Sequence, residues 1–326
     1  MSSLMTRVSV PRGGLSFSWL VRRLLLGVFV LLLVSVLLFL VTQALPGDVA
    51  RIILGKDATA EQVADLRQQL GLDRSLVVQY WHWLTGVLTG EMGSSLQNGE
   101  PVVDIIGPRM LDSFALGLIS LVLILPIAVV VGVFSAHQRD SAWDKAFVAV
   151  SSLFTALPAF VVGMLLIALF ATSVLGVLPG VSNIPPGDMP WWHPAELVLP
   201  VTTLTLMGVM YLGRLVRASF IDAMNSEYVQ MATLKGLSGR RILFRHALPN
   251  AVAASLPAAS LVAAVTITGV VVVEYVYSYP GLGTAVVSAV NSHDLPVLQA
   301  CILVLATAYY VFNLLADILS AMGRSR

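Results

Sequence analysis

The chain alternates between long apolar blocks and shorter polar stretches. The block from Leu24 to Val41 is interrupted only by Gly27 and Ser35. A bilayer core of about 30 Å needs roughly 20 apolar residues in a helix. Six segments meet that length: Leu20–Thr42, Phe114–Ala136, Phe147–Leu175, Leu197–Ser219, Val252–Tyr277 and Val297–Met322. The pattern predicts an all-α polytopic membrane protein with six transmembrane helices. Gly163, Pro126, Pro158 and Pro257 are the positions where a span can kink. Arg22 and Arg23 before the first block also fit the start of a signal peptide. A signal core runs only about 7–15 residues, so the first block is expected to stay as a span.

Composition agrees. Charged residues are 11% and hydrophobic residues 57% of the chain, whereas soluble domains carry about 25% charged residues. The net charge of +1 says little; the placement of Lys and Arg says more. Arg7, Arg12, Arg22 and Arg23 precede or open the first span, and Arg139 and Lys145 lie between the second and third. Arg214, Arg217, Lys235, Arg240, Arg241 and Arg245 surround the fourth-to-fifth connection, and Arg324 and Arg326 close the chain. The connections Gly176–Glu196 and Ser278–Pro296 have no Lys or Arg. Positive residues stay on the cytoplasmic side of short loops, so both termini and the fourth-to-fifth connection are expected in the cytoplasm. Arg51, Lys56, Arg67, Arg74 and Arg109 fall in a long first external loop, where that rule is weak. The expected organisation is a cytoplasmic tail (1–19), a first span (20–42), an extracytoplasmic helical loop (43–113), a five-helix core (114–322) containing a cytoplasmic segment (222–250), and a short tail (323–326).

The external loop is too long for a connector. "DATAEQVADLRQQLGLD" reads as a helix, with Thr59 and Gln62 spaced as a capping box and Gly71 placed to end it. "RSLVVQYWHWLTGVLTG" puts Val77, Tyr80, Trp81 and Leu84 on one helical face. Amphipathicity accounts for every residue there, as a helix resting on the protein or at the interface. A docking platform for an external partner is the alternative.

The connection "EYVQMATLKGLSGRRILFRHALPNA" (227–251) is unusual. Ser226 fits an N-cap, Gly236 a left-handed helix stop, Ser238 a second N-cap, and Leu237 with Ile242 a hydrophobic staple. Three readings compete: a basic stretch on anionic lipid, a topology signal, and an ordered helix–turn–helix offered to a protein partner. Lipid attraction needs no hinge, caps or staple, so the local pattern favours the partner.

Other chemistry is thin. The five histidines have no metal-ligand spacing, so no metal site is expected. Cys301 is the single cysteine and cannot form an internal disulfide. No GxxxxGK[ST] loop occurs, and no Ser/His pairing stands out, so no catalytic residue is assigned. Glu274, Asp317 and Asn313 are polar groups within or near spans. Glu274 lines the pathway mouth or caps the turn that follows it. Asp317 pairs with an arginine, and Asn313 sits one turn earlier on the same face.

The 227–251 stretch resembles the EAA loop of ABC importer permeases, in the version of the dipeptide/oligopeptide/nickel permease family. Glu227, Tyr228, Val229, Ala232, Lys235, Gly236, Leu237, Ser238, Arg241, Arg245, His246, Ala247, Leu248, Asn250 and Ala251 match. Leu234 stands where the family commonly has alanine. "EYVYSYPGLGTAVVSAVNSHDLPVLQA" is similar to the family's end-of-span segment through Glu274, Pro280, Gly281, Leu282, Gly283, Asp294, Pro296 and Gln299. "LGLDRSLVVQYWHWLTGVLTGEMGSSL" and "NLLAD" (Asn313–Asp317) extend the likeness, whereas the carboxyl end "AMGRSR" lacks the expected Asp-Pro-Arg tail.

The resemblance implies the type I ABC importer (MetI-like) permease fold in a bacterial inner membrane. It further implies a second homologous permease subunit, two cytoplasmic ATPase domains that bind ATP and magnesium, and an extracytoplasmic peptide-binding protein. The chain itself would hold no cofactor, lie among membrane lipid and bind no nucleic acid. By the same resemblance Glu227, Tyr228, Ala232, Lys235, Gly236, Leu237 and Ser238 belong to the coupling helix. Arg240 and Arg241 are candidates to pair with the ATPase, with solvent or phospholipid as the alternative. Glu274 and Asn313 are the candidates for the substrate pathway. Expected cargo is di- or oligopeptide, with nickel, glutathione or haem as variants; the alternative of another class is a stand-alone channel or secondary carrier.

Overall fold

The computed structural model describes residues 17–44, 54, 58–69, 73–172, 174–185 and 187–324. Arg7, Arg12, Arg51, Lys56, Gly71 and Arg326, to which the sequence assigned topological or capping roles, lie outside the described residues. Along the described chain the order is α1 (Phe17–Ala44), α2 (Ala60–Gln69), α3 (Leu76–Thr89), α4 (Val102–His137), α5 (Ala142–Ala156) and α6 (Ala159–Phe170). There follow α7 (Pro194–Met224), α8 (Glu227–Leu234), α9 (Gly239–Ile242), a π-helical turn over Leu243–Ala247, α10 (Leu248–Tyr277), α11 (Leu282–Asn291) and α12 (Leu295–Arg324).

Five of these, α1, α4, α7, α10 and α12, are long and apolar enough to cross a bilayer. The sixth expected span, Phe147–Leu175, is not one continuous helix. It is broken into α5 and α6, which meet at an angle of 112°. Pro158 causes the break: it has no N–H to donate, and its ring drives Leu157 out of helical geometry to φ −89°, ψ 137°. Pro126 and Pro257 stay within α4 and α10. The second span is also longer than expected, beginning at Val102 and running through Pro108. Residues 102–113 therefore belong to this helix rather than to a separate external loop.

The core is built on α4 and α7, which share the most extensive helix contact, with α10 packed across both. Small residues permit the approach. A Cβ on Gly132 of α4 would sit 2.5 Å from the Gly213 carbonyl of α7, and one on Gly208 would meet Ile124 at 2.5 Å. At one end of the bundle the Tyr277 hydroxyl lies 2.8 Å from Thr203 Oγ1 and donates to the Gly163 carbonyl at 3.1 Å, joining α10, α7 and α6. On the outside, α1 packs on α12, where the Tyr310 ring fills the space beside Gly27.

Between α1 and α4, the capping box at the start of α2 is formed. The Thr59 amide donates to Gln62 Oε1 at 2.9 Å, and the Gln62 amide donates to Thr59 Oγ1 at 3.3 Å. The α3 helix lies on α1, but its buried face differs from the expected one. Tyr80, Trp83 and Leu84 turn inward, Tyr80 meeting Phe39 edge-on at 5.6 Å, while Val77 and Trp81 are exposed. The reason is local: Tyr80 Oη bonds Ser35 of α1 at 2.8 Å and fixes the rotation of α3.

Candidate functional site

The residues from Phe220 to Ala251 form a compact cap on one end of the bundle. Val229 and Ala232 of α8, Ile242 of α9, and Ala247 and Ala251 beyond it are buried together with Phe220 and Ala223 of α7 and Ala136 of α4. Leu237 packs on the same cluster beside Ile242, as the staple spacing requires. Burial of one apolar face thus fixes both short helices to the ends of three long ones.

The turn between α8 and α9 is closed by backbone geometry. Gly236 has φ +75°, the left-handed region. The Leu237 amide donates to the Ala232 carbonyl at 3.2 Å and the Gly236 amide to the Thr233 carbonyl at 2.9 Å. These are the two bonds of a Schellman stop. The serines occupy the cap positions without capping through their side chains. Ser226 Oγ instead donates to the Ala223 carbonyl at 2.5 Å, and Ser238 makes no side-chain cap bond. Their carbonyls do accept the first helical amides, Val229 at 3.1 Å and Ile242 at 3.0 Å.

What this cap presents outward is chemically mixed. Glu227, Lys235, Arg240 and Arg241 are exposed, and among the described residues none of them forms an ion pair. Between them stand apolar side chains that the rest of the chain leaves uncovered: Leu234 is 82% exposed, Met231 and Phe244 each 57%, and Tyr228 41%. The sequence placed Tyr228 in the coupling helix and marked Leu234 as a departure from alanine, but Met231 and Phe244 were not singled out. The signal was available for Met231, which falls at i+3 from Tyr228 and i−3 from Leu234. A rigid surface of exposed apolar and basic side chains has the composition of a protein-docking face.

Glu274 and Asn313 are not part of this surface. Glu274 is completely buried near the other end of α10, where its Oε2 accepts from the Gly283 amide at 2.6 Å. The Pro280–Gly283 turn is fastened further by Ser113 Oγ, which accepts from the Leu282 amide at 2.8 Å, and by Tyr279 Oη, which donates to the Asp112 carbonyl at 2.9 Å. Burial raises the Tyr279 phenol above its ordinary pKa, so it stays a neutral donor. Gly281 has no room for a Cβ, because the Glu274 carboxylate occupies that space. Asn313 lies half-buried on α12 and donates to the Tyr309 carbonyl at 2.9 Å. Asp317 pairs with Arg23 of α1 at 2.7 Å.

Residues 128–322 match the family described as "Binding-protein-dependent transport system inner membrane component", and residues 16–117 match its amino-terminal companion. The chain is 33% identical to a probable peptide ABC transporter permease protein of Sinorhizobium fredii over 301 residues, covering 92% of this chain and 96% of that one. It is 33% identical to a protein named for a peptide transport system permease in Brucella abortus, covering 94% and 98%. A glutathione transport system permease protein of Salmonella typhimurium is 35% identical, covering 93% and 96%. The matched region takes in the four long helices α4, α7, α10 and α12 at least in part, the broken third span and the cap. The chain belongs to the family of binding-protein-dependent transport system inner membrane components: it is a multi-pass, non-catalytic permease subunit of an ABC-type importer.

Proposed function

We propose that this subunit forms, with a second homologous permease, the pathway for uptake of di- or oligopeptides, and that α8 and α9 are its coupling segment. In this reading the cap faces the cytoplasm with both chain termini, and cytoplasmic ATPase subunits binding ATP and magnesium dock on Tyr228, Met231, Leu234 and Phe244. Glu227, Lys235, Arg240 and Arg241 supply the polar rim of that contact. An external binding protein delivers the peptide. The observation that carries the reading is the rigid cap itself: exposed apolar side chains on α8 and on the π-helical turn, in a segment whose other face is buried against α4, α7 and α10. A push on that surface reaches the spans because a packed cluster, not a loose loop, lies between them.

The peptide class rests on the names of the relatives, one of which is named for glutathione, itself a small peptide. The test is reconstitution of the chain with its partner permease, ATPases and binding protein in proteoliposomes. Peptide uptake that requires ATP and the binding protein is expected. Uptake by the permease subunits without any ATPase would overturn the importer reading. Stimulation of ATP hydrolysis by chelated nickel or haem, and not by dipeptides, oligopeptides or glutathione, would overturn the peptide assignment.

A further inference from the structure

Asp144, near the start of α5, is a buried carboxylate with all its acceptor directions used. Its Oδ1 accepts from Ser135 Oγ and from Arg217 Nε, each at 2.5 Å. Its Oδ2 accepts from Arg217 Nη2 at 2.6 Å and from the Asp140 amide at 3.0 Å. Ser141 Oγ caps the same helix by accepting from the Asp144 amide at 3.2 Å. The Asp144 side chain is 3% exposed and that of Arg217 19%. One carboxylate therefore binds the end of α4, the α4–α5 turn and α7 to the first turn of α5.

The placement of this network gives it a role beyond stability. Arg217 lies about two turns before the end of α7, and Phe220 and Ala223 in those turns belong to the cluster that buries α8 and α9. Ser135 is the sequence neighbour of Ala136, another member of that cluster. On its far side the network holds α5, the first half of the broken span, which touches α4 only slightly and packs mainly on α7. A bidentate guanidinium–carboxylate pair fixes angle as well as distance. Well-packed apolar residues would hold two helices together at least as firmly, so what the pair adds is a defined orientation.

We propose that Asp144 and Arg217 are positioning residues for transport: they clamp α5 to α7, so that displacement of α8 and α9 carries the first half of the broken span with it. This inference rests on the coupling reading of α8 and α9. In the reconstituted transporter, Asp144→Asn and Arg217→Lys are each expected to lower peptide transported per ATP hydrolysed by about fivefold or more. ATP hydrolysis itself should stay within about twofold of the unmodified complex. A purely structural pair would lower the yield or melting temperature and leave the transport-to-hydrolysis ratio unchanged, and that result overturns the proposal.

A second measurement does not depend on those variants folding. Spin labels at Leu153→Cys on α5 and Gln230→Cys on α8, both exposed positions, should keep their separation when ATP binds. Labels at Leu153→Cys and Leu315→Cys on α12 should change theirs. A changed first distance or an unchanged second one overturns the clamp. Gly236→Val, assayed in parallel, separates the two ideas. If it uncouples while the Asp144 and Arg217 variants do not, only the clamp falls. If it leaves coupling intact, the coupling reading falls and the clamp with it.

Discussion

Gly236 offers the sharpest perturbation of the proposed lever, because its role can be isolated from packing. Its φ of +75° lies where an L residue is strained, yet a Cβ built there meets nothing within 4 Å. The penalty of substitution is therefore one of backbone conformation alone, about 1–2 kcal/mol for an ordinary residue and larger for a β-branched one. Its direct effect falls on the two closing bonds, Leu237 N–H to the Ala232 carbonyl and Gly236 N–H to the Thr233 carbonyl. A penalty of one or two kcal/mol shifts the balance between closed and open turn by about 5–30-fold. Asparagine tolerates the left-handed region better than alanine, and valine worse. Transport per ATP hydrolysed should therefore fall in the order Gly, Asn, Ala, Val, with membrane insertion and subunit abundance unchanged. Peptide uptake and phosphate release measured on the same proteoliposomes give the ratio. Full coupling in the Gly236→Val transporter would refute the argument, since no compensating contact is within reach of the new side chain.

Other substitutions test the frame that holds the lever. Gly283→Ala would place a Cβ 2.5 Å from the Val271 carbonyl and 2.8 Å from Glu274 Oε2; relief of that clash should cost about 1–3 kcal/mol, seen as a lower melting temperature in detergent. Asp294 accepts from Ser95 Oγ and, at 3.2 Å, from the Leu96 amide, tying the segment before α4 to the start of α12. Asp294→Ala should speed amide exchange across Glu91–Pro101, while Asp294→Asn, which keeps one acceptor, should do so less; equal protection in both would contradict this tie. Arg23→Ala should leave stability almost unchanged, within about 1 kcal/mol. Both members of its pair with Asp317 are substantially exposed, and the Tyr310 hydroxyl bonds the Arg23 backbone rather than its side chain.

The long spans were legible because a run such as Leu24–Val41 admits few other structures. The Gly236 turn was legible too, since a left-handed stop needs a residue without a Cβ. Cap chemistry was only half legible: the positions of Ser226 and Ser238 could be read, but not that the Ser226 hydroxyl would turn back to α7. Pro158 was marked as a kink, yet its 112° consequence depends on α7 and α10 offering surfaces for the two halves. Asp144 and Arg217, 73 residues apart, carried no local signal that they would meet. In sequence Arg217 read as a topological charge, and Asp144 was not singled out. The rotation of α3 was misread for the same reason, because Ser35 of α1 sets it from a distance.

The break at Pro158 also bears on how the protein is made. At 1.5 Å per residue, the 15 residues of α5 reach about 22 Å and the 12 of α6 about 18 Å. Neither crosses a hydrocarbon layer of about 30 Å. At the break the Leu157 amide still donates to the Phe154 carbonyl at 3.3 Å, but Pro158 has no N–H to continue the helical ladder, and lipid offers no substitute donor. This stretch is therefore a poor passenger for insertion on its own, unlike α1. Its stable insertion is expected to depend on α7, which gives both halves a surface to pack on. A single imino acid thus makes the placement of an earlier segment depend on a later helix.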